Sequence, residues 1–149
     1  MSPSDPQQTV AFWSISALLE SSVHFEDLSP YTYCLPKNPP NGADLGVLKN
    51  ALNIGWLENG CPYPKGATPW RFRWKLRRLA RNLKHQMEGW HDCDICDARP
   101  FRHFGNGEIH VTGLDGTMYV APELIVHYIS KHKYLPPKEF VDAVLSSGG

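Results

Sequence analysis

Cys93-Asp-Ile-Cys96 and, thirty residues on, His127-Tyr-Ile-Ser-Lys-His132 are the two stretches whose joint reading decides the fold. Two thiols three positions apart in a turn point at one centre. Two imidazoles complete a set of soft and borderline donors that suits tetrahedral Zn²⁺. Between the pairs, Glu108-Ile-His-Val-Thr112 alternates polar and apolar, Leu114-Asp-Gly116 signals a turn, and Thr117-Met-Tyr-Val120 returns. That pattern predicts an antiparallel β-hairpin carrying the chain back over the thiolate turn. Pro122 then fits the first turn of a helix with Leu124, Ile125, Tyr128 and Ile129 on its buried stripe. The histidines are five residues apart, which on an ideal α-helix leaves them about 140° apart. The helix must therefore change its winding near Ser130 for both rings to converge.

Two thiolates would neutralise a dication, and four protein ligands leave no open coordination position. The expected site is therefore structural, a C2H2-like zinc centre on Cys93, Cys96, His127 and His132 within a finger-like module over 89–134. His91, His103 and His110 compete for a ligand position. His91 is only two residues from Cys93, and His110 turns outward if Ile109 and Val111 face the core. His110 and then His91 are the substitutes.

Working outward, Pro136-Pro137 breaks the chain and starts a last helix with Phe140, Val141, Val144 and Leu145 facing inward. Upstream, Thr68-Pro69 opens the most regular helical pattern, over 69–88, with Phe72, Leu76, Leu79, Ala80, Leu83 and Met87 in one stripe and Gly89 as the stop. Its remaining circumference carries Arg71, Arg73, Lys75, Arg77, Arg78, Arg81 and Lys84, together with Trp70 and Trp74. Such a face fits a solvated core helix, a surface for an acidic protein partner, or phosphate contacts with base stacking. Further upstream, Asp44 is a plausible cap for a helix carrying Leu45, Leu48, Ala51 and Leu52 and ending near Gly55. Residues 35–42 and 59–66 read as loops, 26–36 as extended, 10–23 as a helix and 1–8 as a flexible N-terminus.

The 149 residues, 42% apolar, suffice for one cored domain over the whole chain. Lys+Arg and Asp+Glu are equal at 15 each, so net charge draws the chain to neither nucleic acid nor membrane. The charges are segregated, with eight of the 15 cations between Lys65 and Lys84 and no acid between Glu58 and Glu88. No secretory signal or membrane-length apolar run is legible, so reduced thiols and a cytoplasmic setting are expected. Cys34 and Cys61 read as buried, unreactive thiols. A zinc deaminase pairs H-x-E with P-C-x-x-C; His24-Phe-Glu26 supplies the first, but Asp92 stands where the second needs Pro.

Gly89-Trp-His91 before Cys93-Asp-Ile-Cys96, then Gly105-Asn-Gly-Glu-Ile-His-Val111, Met118-Tyr-Val-Ala-Pro122 and Val126-His-Tyr-Ile-Ser-Lys-His-Lys-Tyr-Leu-Pro-Pro-Lys-Glu-Phe140, resemble a bacterial family of small uncharacterised proteins. A weaker likeness extends to Gly55-Trp-Leu-Glu-Asn-Gly-Cys-Pro-Tyr-Pro-Lys-Gly66, and the first 40 residues lie outside it. The resemblance implies the same C2H2-like ligand set and no enzymatic activity. The expected architecture is α+β, helices packed around a small antiparallel hairpin with the zinc site in the C-terminal third. The expected function is non-catalytic protein binding of an immunity or adaptor kind. A nucleic-acid-binding regulator using the basic helix is the alternative, and a zinc-dependent hydrolase or deaminase comes third.

Overall fold

The hairpin forms where the alternation places it, and the rest of the chain is built on its two faces. The computed structural model describes residues 24–33, 48, 50–85, 91–96 and 103–148. The expected helix over 10–23, the flexible 1–8 and the loop at 35–42 lie outside these residues. Strand β1 spans Leu52–Asn53, helix α1 Trp70–Leu79, β2 His91–Asp92, β3 Phe104–Gly105, β4 Glu108–Thr112, β5 Met118–Pro122, α2 Ile125–Lys131 and α3 Lys138–Ser146. Among the described residues the fold is mixed α/β, with three helices and two small sheets.

β4 and β5 pair antiparallel from Glu108↔Pro122 to Thr112↔Met118, closed by a turn in which Gly116 adopts φ +84. On its other side β5 pairs parallel with β1, giving the order β1-β5-β4. The hairpin is thus two strands of a mixed sheet. Leu52–Asn53 overturns the last part of the helix expected from Asp44 to Gly55, whose start at 44–47 lies outside the described residues. Ala51-Leu-Asn-Ile54 is a short apolar run, and such a run does not distinguish strand from helix by periodicity. The backbone decides it. Ile54 N donates to Val120 O at 3.0 Å on one side, while Asn53 N donates to Ser29 O at 2.8 Å and Tyr31 N to Ala51 O at 2.8 Å on the other. Phe25 and Pro30 bridge to Trp56 and Leu52, but the extended run expected from Glu26 is interrupted by a turn at 27–29, closed by Ser29 N on Glu26 O at 3.2 Å, and by a turn at Tyr33.

Helix α1 is shorter than the predicted 69–88. After Leu79 the backbone tightens, with Arg81 N on Arg78 O and Asn82 N on Leu79 O. Lys84 then exchanges two 2.8 Å hydrogen bonds with Glu108, adding an edge bridge to β4. Leu83, expected on the helix stripe, lies against Gly107 at the sheet edge. Met87 and Gly89 lie outside the described residues. Pro122 does not start α2 either. It ends β5 opposite Glu108, and α2 begins three residues later. Pro137 precedes α3 as read, with Phe140 and Val144 buried and Val141 and Leu145 half-buried.

The two sheet faces differ chemically. Ile109, Val111, Tyr119 and Ala121 meet Phe72 and Leu76 of α1, Ile125 and Ile129 of α2, and Phe140 and Val144 of α3. Each such side chain, fully buried, stabilises the fold by about 1.5–3 kcal/mol. Lys75 Nζ caps the end of α3 by donating to Leu145 O (2.6 Å) and Ser147 O (2.9 Å). The opposite face is aromatic and polar. Val120 packs with Tyr31, Ala51 and Trp56, with Phe25 and Tyr33 edge-on or tilted around the Trp56 ring.

Gly55 is a tight point between these parts. Its φ is +70, its N–H donates to Asp27 Oδ1 at 2.8 Å, and an added Cβ would stand 2.9 Å from Ile125 Cδ1 and 3.2 Å from Tyr134 Cε1. Gly60 also has positive φ, +90, but open space where a Cβ would go. Gly55→Ala is therefore expected to cost about 2–4 kcal/mol, left-handed backbone plus overpacking, and Gly60→Ala about 1–2 kcal/mol. Urea midpoints for the two variants check this; equal losses would show that the contact with Ile125 and Tyr134 is immaterial.

Candidate metal centre

The Cys93–Cys96 turn is carried by the smaller sheet. β2 pairs antiparallel with β3, His91↔Gly105 and Asp92↔Phe104, and Cys93 N continues the ladder by donating to His103 O at 2.8 Å. Asp94 Oδ2 accepts from Asn59 N at 3.1 Å, tying the turn to the 59–66 loop. Cys93 is fully buried and Cys96 half-buried.

The histidines are carried by α2 and its end. His127 lies inside the helix and is buried, whereas His132 lies just past it with φ −106 and ψ 6. The change of winding expected near Ser130 is a termination. His132 N donates to Tyr128 O at 3.0 Å, Tyr134 N donates to the same oxygen at 3.1 Å, and Lys133 between them has φ +54. Ser130 Oγ bonds back to Val126 O (2.9 Å) and His127 O (3.2 Å). Leaving the helix frees His132 from the 140° offset that uninterrupted α-geometry imposes.

The four side chains meet. Cys96 Sγ is 3.1 Å from His127 Nε2 and 3.3 Å from His132 Nε2. Cys93 Sγ is 3.4 Å from His132 Nε2, and the two Nε2 atoms are 3.2 Å apart. All four donor atoms lie within 4.8 Å of one another and could hold a metal ion.

The electrostatics fit a cation. Burial, then the neighbouring His103 and His132 and the charge of Lys131, push His127 down to about 4; burial and Lys65 lower His132. Both rings are therefore neutral near pH 7, with lone pairs available. Burial pushes the Cys93 thiol up to about 11 against the pull of the Cys96 and Ile95 amides. With both rings protonated on Nδ1, as metal ligation through Nε2 requires, two Nε2 lone pairs face each other at 3.2 Å beside two sulfurs. A positive ion relieves that repulsion, whereas two thiol hydrogens satisfy the lone pairs only in part. His127 Nδ1 is buried without a hydrogen-bond partner, so its ring is held by stacking on His103 (4.1 Å, 26°) and by whatever Nε2 binds.

The rival histidines are placed elsewhere. His103 stacks on His127, His91 Nε2 meets Tyr33 Oη at 3.1 Å, and His110 belongs to a separate group. His24 and Glu26, the literal H-x-E, lie on the segment beside β1 and outside the cluster. Cys61 is half-buried, correcting the expectation of a buried thiol; its pKa is raised by desolvation and by Glu58, and its thiol faces Glu58 Oε2 at 3.8 Å. Cys34 lies outside the described residues. Sequence reasoning missed the group of His85, Glu108 and His110. The E-x-H step in β4 places two of its members on one strand face, but His85 arrives through an edge bridge that no local pattern announces.

Of the seven cations on 69–88, two are engaged internally. Arg73 donates to Thr68 O, and Lys75 caps α3. Arg71, Arg77, Arg78, Arg81 and Lys84 are exposed. Trp70 and Trp74 are 69% and 51% exposed, with Arg71 over the Trp70 ring at 5.9 Å and Arg78 over the Trp74 ring at 4.8 Å.

Cysteines ligate as thiolates, so metal capture displaces thiol protons, and affinity rises with pH. With His127 near 4, its imidazole does not compete for protons above about pH 5. The logarithm of the apparent affinity is expected to climb by between about one and two per pH unit from about pH 5 to 8, measured by competition with a chromogenic chelator. A flat profile would exclude thiolate ligation.

A family described as a domain of unknown function, DUF7919, matches residues 23–145, beginning well before the stretch that carries the motif likeness. No curated protein and no solved structure matches the chain. No described helix is long and apolar enough to cross a membrane. With most of its length covered by that one match, the chain belongs to the DUF7919 family.

Proposed function

We propose that this is a zinc-stabilised, non-catalytic binding protein that docks an acidic protein partner on the Trp- and Arg-bearing face of α1. The zinc reading rests on donor spacing. Bonds of about 2.3 Å to sulfur and about 2.0–2.1 Å to nitrogen imply tetrahedral edges of about 3.6 Å (S–N) and about 3.3 Å (N–N). Three of the four S–N distances, 3.1–3.4 Å, and the N–N distance of 3.2 Å fall within about half an ångström of these, and all four donors lie within 4.8 Å of one another. Bound there, zinc would join the 93–96 turn to α2 and leave no ligand position for substrate, which favours a structural role over hydrolysis or deamination.

The observation that carries the binding reading is the exposure of two indoles, each with its own guanidinium alongside. Trp and Arg are the residues most enriched where interface energy concentrates. The absence of acids from 59 to 87 gives the face one sign and calls for a complementary, acidic surface. A nucleic acid is the less suited ligand because Arg71 and Arg78 each already lie over one of the two faces of the indole on which a base would stack.

Two measurements test this. Zinc removal, or Cys96→Ser, is expected to lower the thermal midpoint by at least about 5 °C, the scale of a loss above 1 kcal/mol in a domain of this size. An unchanged midpoint would remove the structural role. For the surface, a benzophenone side chain placed at position 77 is expected to cross-link one discrete acidic protein in cells, an adduct abolished by Arg78→Glu at unchanged thermal midpoint. Adducts to DNA or RNA, with binding that falls steeply with salt, would transfer the surface to nucleic acid; an adduct indifferent to Arg78→Glu would overturn it.

A further inference from the structure

The geometry points to a second metal site, independent of the Cys/His centre, in which His85, Glu108 and His110 bind a divalent first-row transition ion on the opposite face of the sheet. His110 Nε2 lies 2.8 Å and His85 Nδ1 3.0 Å from the same carboxylate oxygen, Glu108 Oε2. The three ligand atoms lie within 4.8 Å of one another. The other oxygen, Oε1, accepts a 2.6 Å hydrogen bond from the Tyr31 hydroxyl. Glu108 is 3% exposed, His110 14% and His85 39%.

Each part of this arrangement has a role that metal binding explains. Two imidazoles and one carboxylate suit Zn²⁺, Fe²⁺ and their neighbours, and leave positions for water or a further ligand. With bonds of about 2.1 Å, adjacent ligands of a six-coordinate ion stand about 3.0 Å apart, the spacing both histidine nitrogens keep from Oε2. Tyr31 fixes the carboxylate from behind, as outer partners of metal-bound carboxylates do. Glu108 and His110 share a strand face by the period of β4, while His85 is delivered by the Lys84↔Glu108 bridge. His85 has φ +44, a left-handed conformation that a residue with a side chain adopts at a cost. The conformation turns its ring onto Glu108, and its exposed flank leaves a solvent route for the ion. The rings of His85 and His110 meet edge-to-face at 5.1 Å and 82°, so neither blocks the other's approach.

The site differs from the Cys/His centre in chemistry as well as place. It has no sulfur and retains open coordination. It predicts a second, weaker equivalent of metal with a distinct optical character.

The test uses the full-length chain stripped by chelator and titrated with Co²⁺ alone, then with Zn²⁺ alone under equilibrium dialysis. Two equivalents are expected. The first gives an intense sulfur-to-cobalt charge-transfer band, and the second gives only weak visible absorption. His85→Asn, which tolerates left-handed backbone, and His110→Gln are each expected to weaken the second equivalent at least tenfold while leaving the sulfur band and the thermal midpoint of the first-equivalent form unchanged. Cys96→Ser should do the reverse. One equivalent in the parent protein would overturn the proposal and leave the three side chains as a hydrogen-bonded group. So would a second equivalent that survives both histidine variants, which marks adventitious surface binding. Because His85 is exposed and its replacement fits the backbone, loss of folding does not intervene; circular dichroism of His85→Asn verifies this.

Discussion

The stop of α2 at Lys131 governs the rest of the C-terminal half. One carbonyl, that of Tyr128, accepts from both His132 N and Tyr134 N, and Lys133 takes the left-handed position between them. Had the helix continued, His127 and His132 would face different directions. Because it ends, their Nε2 atoms close to 3.2 Å. The same reversal sends Tyr134 into the core, where its hydroxyl donates to the Asp27 carboxylate at 2.8 Å, and lays 133–135 against Pro64 and Gly66. Burial and the Asp27 charge push the Tyr134 phenol well above its ordinary range, so it stays a donor. A single terminated helix thus sets both the donor cluster and the attachment of the N-terminal segment to the core.

The second organising fact is the division of chemistry by the pleat of β4. Ile109 and Val111 enter the helix-covered core, and Glu108 and His110 go to the face that carries Tyr31 and Trp56. Cys93, Ile95 and Tyr128 belong to the first side. Two groups of metal-type donors therefore sit in different surroundings. One is enclosed among apolar side chains and sulfur-rich. The other is carboxylate-centred and open along His85.

What the sequence shows is what depends on short range. The hairpin follows from alternation and a Gly-containing turn. α3 follows from a double proline and a stripe. The convergence of Cys93, Cys96, His127 and His132 follows from two close pairs of chemically matched residues on either side of a hairpin. The failures have tertiary causes. Ala51–Ile54 is apolar enough for either secondary structure and becomes a strand because β5 and the 28–31 segment bond to it from both sides. Leu83 continues the period of α1, yet the edge of β4 competes for the backbone of Lys84 and wins with two hydrogen bonds. Pro122 ends the central strand β5 beyond the reach of the two-residue β1, where no N–H is needed on that side, so the residue that reads as a helix start serves equally as a strand end. The His85–Glu108–His110 group joins an edge bridge to a strand face, and neither segment alone marks it.

The flank that holds the Cys93–Cys96 turn is weak by itself. β2 and β3 pair over two residues each, less than a hairpin needs to persist in water. Asp94 to Asn59, His91 to Tyr33 and the packing of Cys93 and Ile95 on the main core are among its other fastenings. Without a cation Cys93, His127 and His132 stay neutral near pH 7, because burial raises the Cys93 thiol to about 11, lowers His127 to about 4 and lowers His132 as well. Neutral sulfurs and imidazoles offer weak mutual hydrogen bonds and no charge to hold the turn against α2. A bound dication would change the balance: Cys93 and Cys96 as thiolates and His127 and His132 as neutral imidazoles would hold it, joining two elements far apart in the chain. The hairpin and α3, built on Phe72, Tyr119, Phe140 and Val144, have a core that requires no such clamp. Metal loss should therefore act unevenly, loosening 91–96 and the end of α2 while the sheet beneath them keeps its register.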